Sequence, residues 1–139
     1  MDLRKISDSF SVSPQIAPGD VPAIKEAGFL AIMCNRPDGE DAGQPDIAEV
    51  QAAAEDAGLA FRAVPIISGQ LTEGDVADFK AALDDLPQPV LAYCRSGTRC
   101  TTLWSIVQVG QMPDDQIVSA AAGAGYDMRG IVAQMSGRR

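Results

Sequence analysis

A cysteine and two arginines lie close together in the segment Cys94-Arg95-Ser96-Gly97-Thr98-Arg99. The apolar run from Pro89 to Tyr93 predicts a buried strand that enters a glycine-bearing turn, and a helix follows the turn. Such a turn directs successive backbone N–H groups inward and creates an anion site at the helix N-terminus. The same field, with arginines beside it, lowers the pKa of a thiol below its usual value of about 8.5. The segment therefore predicts a reactive thiolate in an anion-binding loop.

Each residue of this loop has an expected role. Cys94 is the candidate nucleophile, and Arg99 is the candidate side chain for binding the oxygens of an anionic substrate. The remaining candidates for anion binding are Arg95, Ser96, Gly97 and Thr98. Cys100 falls in the first turn of the helix, where packing is the simpler role and a second thiol that reacts with Cys94 is the alternative.

Composition restricts the classes of partner. A chain of 139 residues, 46% of them hydrophobic, predicts one core and a single domain over residues 1–139. The net charge of −8 argues against nucleic acid and against an acidic membrane surface as partners. The sequence has neither the ~18 consecutive apolar residues of a membrane span nor a secretory signal pattern at its start. We therefore expect a cytoplasmic protein that holds its anionic ligand locally.

The chain has three cysteines and no histidine. An odd and widely spaced set, Cys34, Cys94 and Cys100, is typical of reduced thiols rather than of a disulfide framework. Without an imidazole, Ser-His-Asp triads, Cys-His pairs and His-ligated metal sites are excluded, and no CxxC pair offers a zinc site. We predict no metal and no cofactor.

Strand and helix patterns alternate along the chain, which predicts an α/β domain with a mostly parallel central sheet and helices on both faces. The first strand is predicted from the alternation of Ile6, Asp8, Phe10 and Val12. The predicted strands are 6–12, 29–34, 60–67 and 89–93. The predicted helices are 18–28, 46–58, 72–86, 103–110, 117–122 and 128–135, the last capped by Asp127.

Two polar loops follow buried strands of the predicted sheet. Because the carboxyl ends of parallel strands share one edge, the loop 35–41 and the loop at Cys94 are expected to form one rim. Asn35, Arg36 and Asp38 are therefore secondary candidates for ligand contact, with ordinary turn formation as the equal alternative. Asp75 is a secondary candidate for proton donation, although its spacing from Thr72 favours a helix capping box.

Five segments of the sequence carry a resemblance to a known family: Val12–Ile16, Asn35–Glu40, Val64–Ile66, Cys94–Arg99 and Trp104. In this order they resemble the phosphatase-like domain of the bacterial beta-lactamase hydrolase-like proteins, which is related in fold to dual-specificity protein phosphatases. The resemblance implies a cysteine-phosphatase-like fold and a cysteine-dependent activity on phosphoesters. In other members the same domain is fused to a sulfur dioxygenase and is assigned to sulfur transfer, so a sulfur donor and a sulfur dioxygenase partner are the other option.

The loop length departs from the phosphatase pattern. Cysteine phosphatases place five residues between the nucleophile and the arginine, whereas four separate Cys94 from Arg99. The pattern Cys-Arg-x-Gly-x-Arg resembles the rhodanese loop, which cradles a cysteine persulfide. A smaller ring suits a single sulfur atom better than a tetrahedral phosphoryl group.

The residues around the loop also depart from the phosphatase pattern. Phosphatases of this kind have a proton-donating aspartate after the preceding strand, but the stretch 65–70 has no carboxylate, and Glu73 and Asp75 are the next ones along the chain. Tyr93 and Cys100 stand where phosphatases have a histidine and a hydroxyl residue. Sulfur transfer has less need of a proton donor because sulfite and thiolates are good leaving groups.

These departures favour transfer of sulfane sulfur. The Cys94 thiolate would attack a small anionic or thiol-bound donor, and an acceptor thiol would remove the sulfur from the resulting persulfide. The alternative is a phosphatase, a hydrolase that acts on phosphate monoesters or phosphotyrosine through a Cys94 thiophosphate. The third hypothesis is a non-catalytic anion-binding module, against which the cysteine itself argues because anion capture needs only amides and arginine.

Overall fold

Five strands form one sheet in the computed structural model, which describes residues 1–137. The strands are β1 (Arg4–Ser7), β2 (Phe10–Ser13), β3 (Ala31–Cys34), β4 (Ala60–Ala63) and β5 (Val90–Tyr93). Their order across the sheet is β1-β2-β5-β3-β4. All neighbours are parallel except β1, which is antiparallel to β2. The predicted mostly parallel sheet is confirmed.

Within the described residues, six α-helices connect and follow these strands. They are α1 (Val21–Glu26), which a 3₁₀ turn at Pro18–Asp20 precedes, α2 (Ile47–Asp56), α3 (Glu73–Asp85), α4 (Thr98–Gln108), α5 (Asp114–Gly123) and α6 (Arg129–Ser136). Within residues 1–137, no helix has both the length and the apolar character that a bilayer span requires.

Capping residues fix several helix starts. Thr72 and Asp75 form the predicted capping box of α3, since each side chain accepts the other residue's N–H at 3.0 Å. Glu49 accepts the Asp46 N–H at 3.2 Å at the start of α2. The N-cap of α6 is Met128 and not the predicted Asp127, although the Asp127 carboxylate, one residue earlier, accepts the Arg129 N–H at 3.1 Å.

The predicted single strand 6–12 is wrong, because the segment is a hairpin. A two-residue turn that begins at Asp8 separates β1 from β2, although apolar residues continue at even-numbered positions on both sides of it. Ile6, Phe10 and Val12 are buried as expected, but Asp8 is exposed and pairs with Lys5 at 2.8 Å. A short polar turn inside a period of two is invisible to the period alone.

Two other predicted elements differ from the observed ones by more than three residues at one end. The strand predicted over 60–67 ends at Ala63, and the chain then leaves the sheet as a loop to the start of α3. Helix α4 begins at Thr98, five residues before the predicted 103, because its first turn is polar and belongs to the cysteine loop.

Strand β5 is central, and its side chains alternate between the two faces of the sheet. Leu91 and Tyr93 pack in the core that α1 and α2 cover, whereas Val90 and Ala92 pack in the core under α3 to α6. Helices therefore cover both faces, as predicted. The chain leaves β5 at the middle of the carboxyl edge, and Cys94 is the first residue beyond it.

Candidate active site

The Cys94 thiol lies in a loop between the central strand and α4 and is 0% exposed. Its sulfur accepts the Gly97 N–H at 3.1 Å. Gly97 adopts a φ of +88°, a left-handed conformation that glycine tolerates best, and the first turn of α4 follows directly. The sulfur consequently sits against the N-terminus of an 11-residue helix, where backbone N–H groups and the helix dipole favour negative charge.

The pKa of Cys94 is lowered to about 5. The hydrogen bond from the Cys100 thiol is the largest cause, and the backbone N–H groups of Cys100, Ser96 and Arg99 add to it against the opposing effect of burial. Burial and the neighbouring thiolate raise the pKa of Cys100, which is fully buried. At neutral pH Cys94 is thus a thiolate and Cys100 a protonated donor.

Two neighbouring groups hold the Arg99 guanidinium. Its Nη1 donates to Glu40 Oε2 and to the Ile66 carbonyl, both at 2.8 Å, and its Nη2 donates to Glu40 Oε1 at 2.7 Å. The hydrogen bond with Glu40 is the main reason that the pKa of Arg99 is raised. Within residues 1–137 the Nε–H of Arg99 has no hydrogen-bond acceptor, so this edge of the fork is available to an anion.

Glu40 links the two loops that were expected to share a rim. Its pKa is lowered to about 2, first by the hydrogen bond from Arg99 and then by the one from Arg36. Arg36 is buried and donates to Glu40 at 2.8 Å, to Asp41 at 2.7 Å and to Gln15 at 3.0 Å. The polar loop after β3 therefore delivers a carboxylate to the arginine of the cysteine loop, which confirms the common rim.

Other predicted site residues make hydrogen bonds that build the loops. The Asn35 amide is buried and donates to the Val64 carbonyl at 3.0 Å. Asp38 accepts the Ile47 N–H at 2.8 Å and thereby helps to start α2. Asp75 belongs to the capping box of α3, as described above. These contacts match the structural alternative that the sequence left open for each residue.

The remaining loop residues lie at the surface. The Arg95 side chain is 69% exposed and its nearest acidic group is Asp41, at 3.7 Å. The Ser96 hydroxyl donates to the Thr98 hydroxyl at 3.0 Å, and both residues are exposed. Among the described residues, no group of three or more Cys, Asp or Glu side chains is arranged to hold a metal ion.

Two residues of the site were not identified from the sequence. Glu40 lies in the predicted polar loop, but nothing local pairs it with an arginine 59 residues away. Tyr126 follows α5, and its hydroxyl donates to the Ser96 carbonyl at 2.8 Å. Only the three-dimensional arrangement of the loops reveals either contact.

The fold and site together define a single-domain α/β enzyme of the cysteine-phosphatase-like class, with a thiolate and an arginine at one helix N-terminus. The chain belongs to the family described as beta-lactamase hydrolase-like protein, phosphatase-like domain, whose family model matches residues 2–111. This confirms the family that the sequence motifs indicated.

A curated relative shows how much of a longer protein this chain matches. The beta-lactamase hydrolase-like protein of Xylella fastidiosa strain Temecula1 is 33% identical over 130 residues, which cover 92% of this chain and 30% of the relative. The chain thus spans under a third of the length of the curated relatives it matches.

Solved structures share the fold. A protein from Neisseria meningitidis Z2491, provisionally named a phosphatase, is 34% identical with a TM-score of 0.86, and the match covers 100% of this chain and 99% of that one. The core catalytic domain of a PP-IP phosphatase from S. cerevisiae, solved with citrate, is 14% identical with a TM-score of 0.68 and coverages of 99% and 84%. At that identity the yeast structure shows the fold alone. The family description and the name of the Neisseria protein support the phosphatase alternative better than sulfur transfer.

Proposed function

We propose that this domain is a cysteine-dependent phosphatase that hydrolyses phosphate monoesters. The observation that carries the proposal is the pairing of Cys94 with Arg99 at one helix N-terminus: the thiolate is stabilised there, and the arginine is immobilised with its Nε edge free. The family description and the phosphatase name of the Neisseria protein support the same class.

Binding of the substrate follows from the donors of the loop. Backbone N–H groups at the start of α4 point at the Cys94 sulfur, and Arg99 in the first turn of the same helix adds a positive charge that acts on Cys94. These donors are fixed before the substrate arrives, so they stabilise the negative charge of a phosphoryl group without reorganisation. A net charge of −8 for the whole chain makes this local concentration of donors essential for an anionic substrate.

The chemistry has two steps. The Cys94 sulfur attacks phosphorus, a sulfur–phosphorus bond forms, and the bond to the ester oxygen breaks with its electron pair leaving on that oxygen. Water then attacks phosphorus, the sulfur–phosphorus bond breaks, and inorganic phosphate and the Cys94 thiolate are released. Segment 65–70 holds no carboxylate, so the leaving oxygen takes its proton from water in this scheme.

Sulfur transfer remains a second candidate because of one specific observation, the four-residue spacing between Cys94 and Arg99. In that reaction the thiolate attacks the outer sulfur of an anionic donor such as thiosulfate, sulfite leaves, and an acceptor thiol removes the persulfide sulfur. A sulfur dioxygenase partner belongs to this second candidate only.

One pair of measurements separates the two reactions. We expect the wild-type protein to hydrolyse p-nitrophenyl phosphate and Cys94→Ser to lose at least about a thousandfold in kcat/KM, because the attacking thiolate is gone. Cys34→Ala, which removes a buried thiol outside the loop, is the matched control and keeps its activity. A mass gain of one sulfur on Cys94 after exposure to thiosulfate, without ester hydrolysis, would replace the phosphatase by the sulfurtransferase. If the protein shows neither phosphate-ester hydrolysis nor sulfur uptake, the non-catalytic anion-binding module is the hypothesis that remains.

A further inference from the structure

Tyr126 contacts the cysteine loop from outside the segment that the family model matches, which ends at residue 111. The tyrosine lies between α5 and α6, and its hydroxyl donates to the Ser96 carbonyl at 2.8 Å. That carbonyl belongs to the peptide group whose N–H is contributed by Gly97, and the Gly97 N–H donates to the Cys94 sulfur at 3.1 Å. One peptide group therefore connects the phenol to the nucleophile.

We propose that Tyr126 is a positioning residue, whose hydroxyl fixes the Ser96–Gly97 peptide so that its N–H points at the Cys94 sulfur. Hydrogen bonds in a chain polarise one another, so donation to the carbonyl also strengthens the N–H at the other end of the same peptide. Gly97 makes this restraint necessary, because a glycine at φ +88° is free to rotate to other conformations when nothing holds the adjoining carbonyl.

The packing around Gly97 supports this assignment. A Cβ atom on Gly97 would overlap the Tyr126 hydroxyl, so the absence of a side chain permits the approach of the phenol as well as the backbone conformation. Tyr126 is itself buried, and the Arg4 guanidinium lies 5.2 Å from the centre of its ring. Arg4 also donates to the Ala124 carbonyl at 3.4 Å. The phenol is therefore held at two points, by the Arg4 guanidinium over its ring and by the Ser96 carbonyl at its hydroxyl.

The ionisable groups around this peptide are compatible with a neutral phenol that donates. Those that act on Cys94 are Cys100 and Arg99 of α4, and those that act on Tyr126 include Arg4 and Asp2 of the N-terminal segment. Cys34, at the end of β3, interacts electrostatically with Cys94. Burial is the main reason that the pKa of Tyr126 is raised, so the hydroxyl keeps its proton over the range in which Cys94 ionises.

The test is the ionisation of Cys94 in Tyr126→Phe, which removes one oxygen and keeps the ring. The inference rests on the Cys94 thiolate of the proposed function, but its test does not depend on catalytic turnover. The rate of Cys94 alkylation by iodoacetamide is measured from peptide masses between pH 3.5 and 8. We expect the midpoint of the rate to rise by about one pH unit, which lowers the rate at pH 5 about fivefold. Ile24→Val, which removes one core methyl group on the other face of the sheet, is the control for lost stability and leaves the midpoint unchanged.

A second substitution tests the same bond in the opposite direction. Replacing Tyr126 with 3-fluorotyrosine makes the phenol a stronger donor without removing it, and we expect the alkylation midpoint to fall below that of the wild type. Unchanged midpoints in both variants would overturn the inference and reduce Tyr126 to packing. A raised midpoint in Tyr126→Phe, together with a wild-type protein that hydrolyses no phosphate ester, would uphold the inference and refute the proposed function.

Discussion

Two neighbouring thiols share one proton in this site, and their surroundings decide which sulfur carries the charge. The Cys94 sulfur meets the donors of the loop and its pKa falls to about 5, whereas Cys100 is enclosed by apolar groups and its pKa rises. Cys100 occupies the position where the resemblance to phosphatases leads one to expect a hydroxyl. The hydrogen bond from the Cys100 thiol is the largest cause of the lowered pKa of Cys94.

Removing the Cys100 donor is expected to move the activity profile of Cys94. In Cys100→Ala the largest cause of the lowered pKa is lost, so the rising limb of kcat/KM against pH shifts from near pH 5 toward the pKa of an ordinary thiol, by about one to two pH units. Cys100→Ser restores a donor and is expected to recover most of the shift. If kcat/KM of Cys100→Ala and of the wild type rose at the same pH, the backbone N–H groups alone would account for the lowered pKa of Cys94.

Glu40 holds the Arg99 guanidinium, which binds the substrate anion in the proposed function. Glu40→Gln leaves one oxygen acceptor where two held the guanidinium fork, and it leaves the buried Arg36 with a neutral neighbour. We expect kcat/KM for p-nitrophenyl phosphate to fall about ten- to a hundredfold, mainly through a higher KM, because the anion-binding edge of Arg99 is no longer fixed. Glu49→Gln, at the start of α2, is the matched change of a carboxylate that does not contact the arginine. Equal kinetics in both variants would contradict the assigned role of Glu40.

At the scale of the elements, the loop between β4 and α3 bears on how the leaving alcohol would be protonated in the proposed phosphatase reaction. This loop touches the site through the Ile66 carbonyl, which Arg99 contacts at 2.8 Å, yet residues 64–72 contain no Asp or Glu. Without a carboxyl group to protonate the departing oxygen, the rate must depend steeply on the acidity of the leaving alcohol. We expect kcat/KM for p-nitrophenyl phosphate to exceed that for phenyl phosphate by at least about tenfold. Equal values for the two esters would reveal a proton donor elsewhere in the site.

The sequence predicted those elements whose signals are local. The apolar run before Cys94 and the capping residues Thr72 and Asp75 are read from neighbouring positions, and the structure places them as expected. Glu40 and Tyr126 depend on contacts over 59 and 30 residues, which no period or cap encodes. The same reason explains the hairpin at Asp8: a turn of two residues leaves the hydrophobic alternation intact while it reverses the chain.

At the scale of the whole molecule, the ionisation of Cys94 is coupled to folding. The folded pKa of about 5 lies below that of an unfolded thiol, near 8.5, so between these values the unfolded chain binds more protons than the folded one. A lowered pKa therefore stabilises the fold fully above the unfolded value, and the contribution is lost as the pH falls toward 5. No histidine titrates in this range, and Glu40, with a pKa of about 2, loses its contribution only at more acidic pH.

We expect the free energy of unfolding of the wild type to rise between pH 5.5 and 8 by about 1 kcal/mol per pH unit, and that of Cys94→Ser to stay nearly flat. Urea denaturation at closely spaced pH values measures both slopes. Cys34→Ser is the matched control, because burial raises the pKa of Cys34 and its titration lies above this window, so it keeps the wild-type slope. The sign of this pH dependence follows from the donors around each sulfur. A loop that stabilises a thiolate loses stability when acid protonates the sulfur, whereas a buried thiol without donors loses stability only when alkali ionises it. Parallel slopes in the wild type and Cys94→Ser would mean that Cys94 is protonated in the folded enzyme at neutral pH.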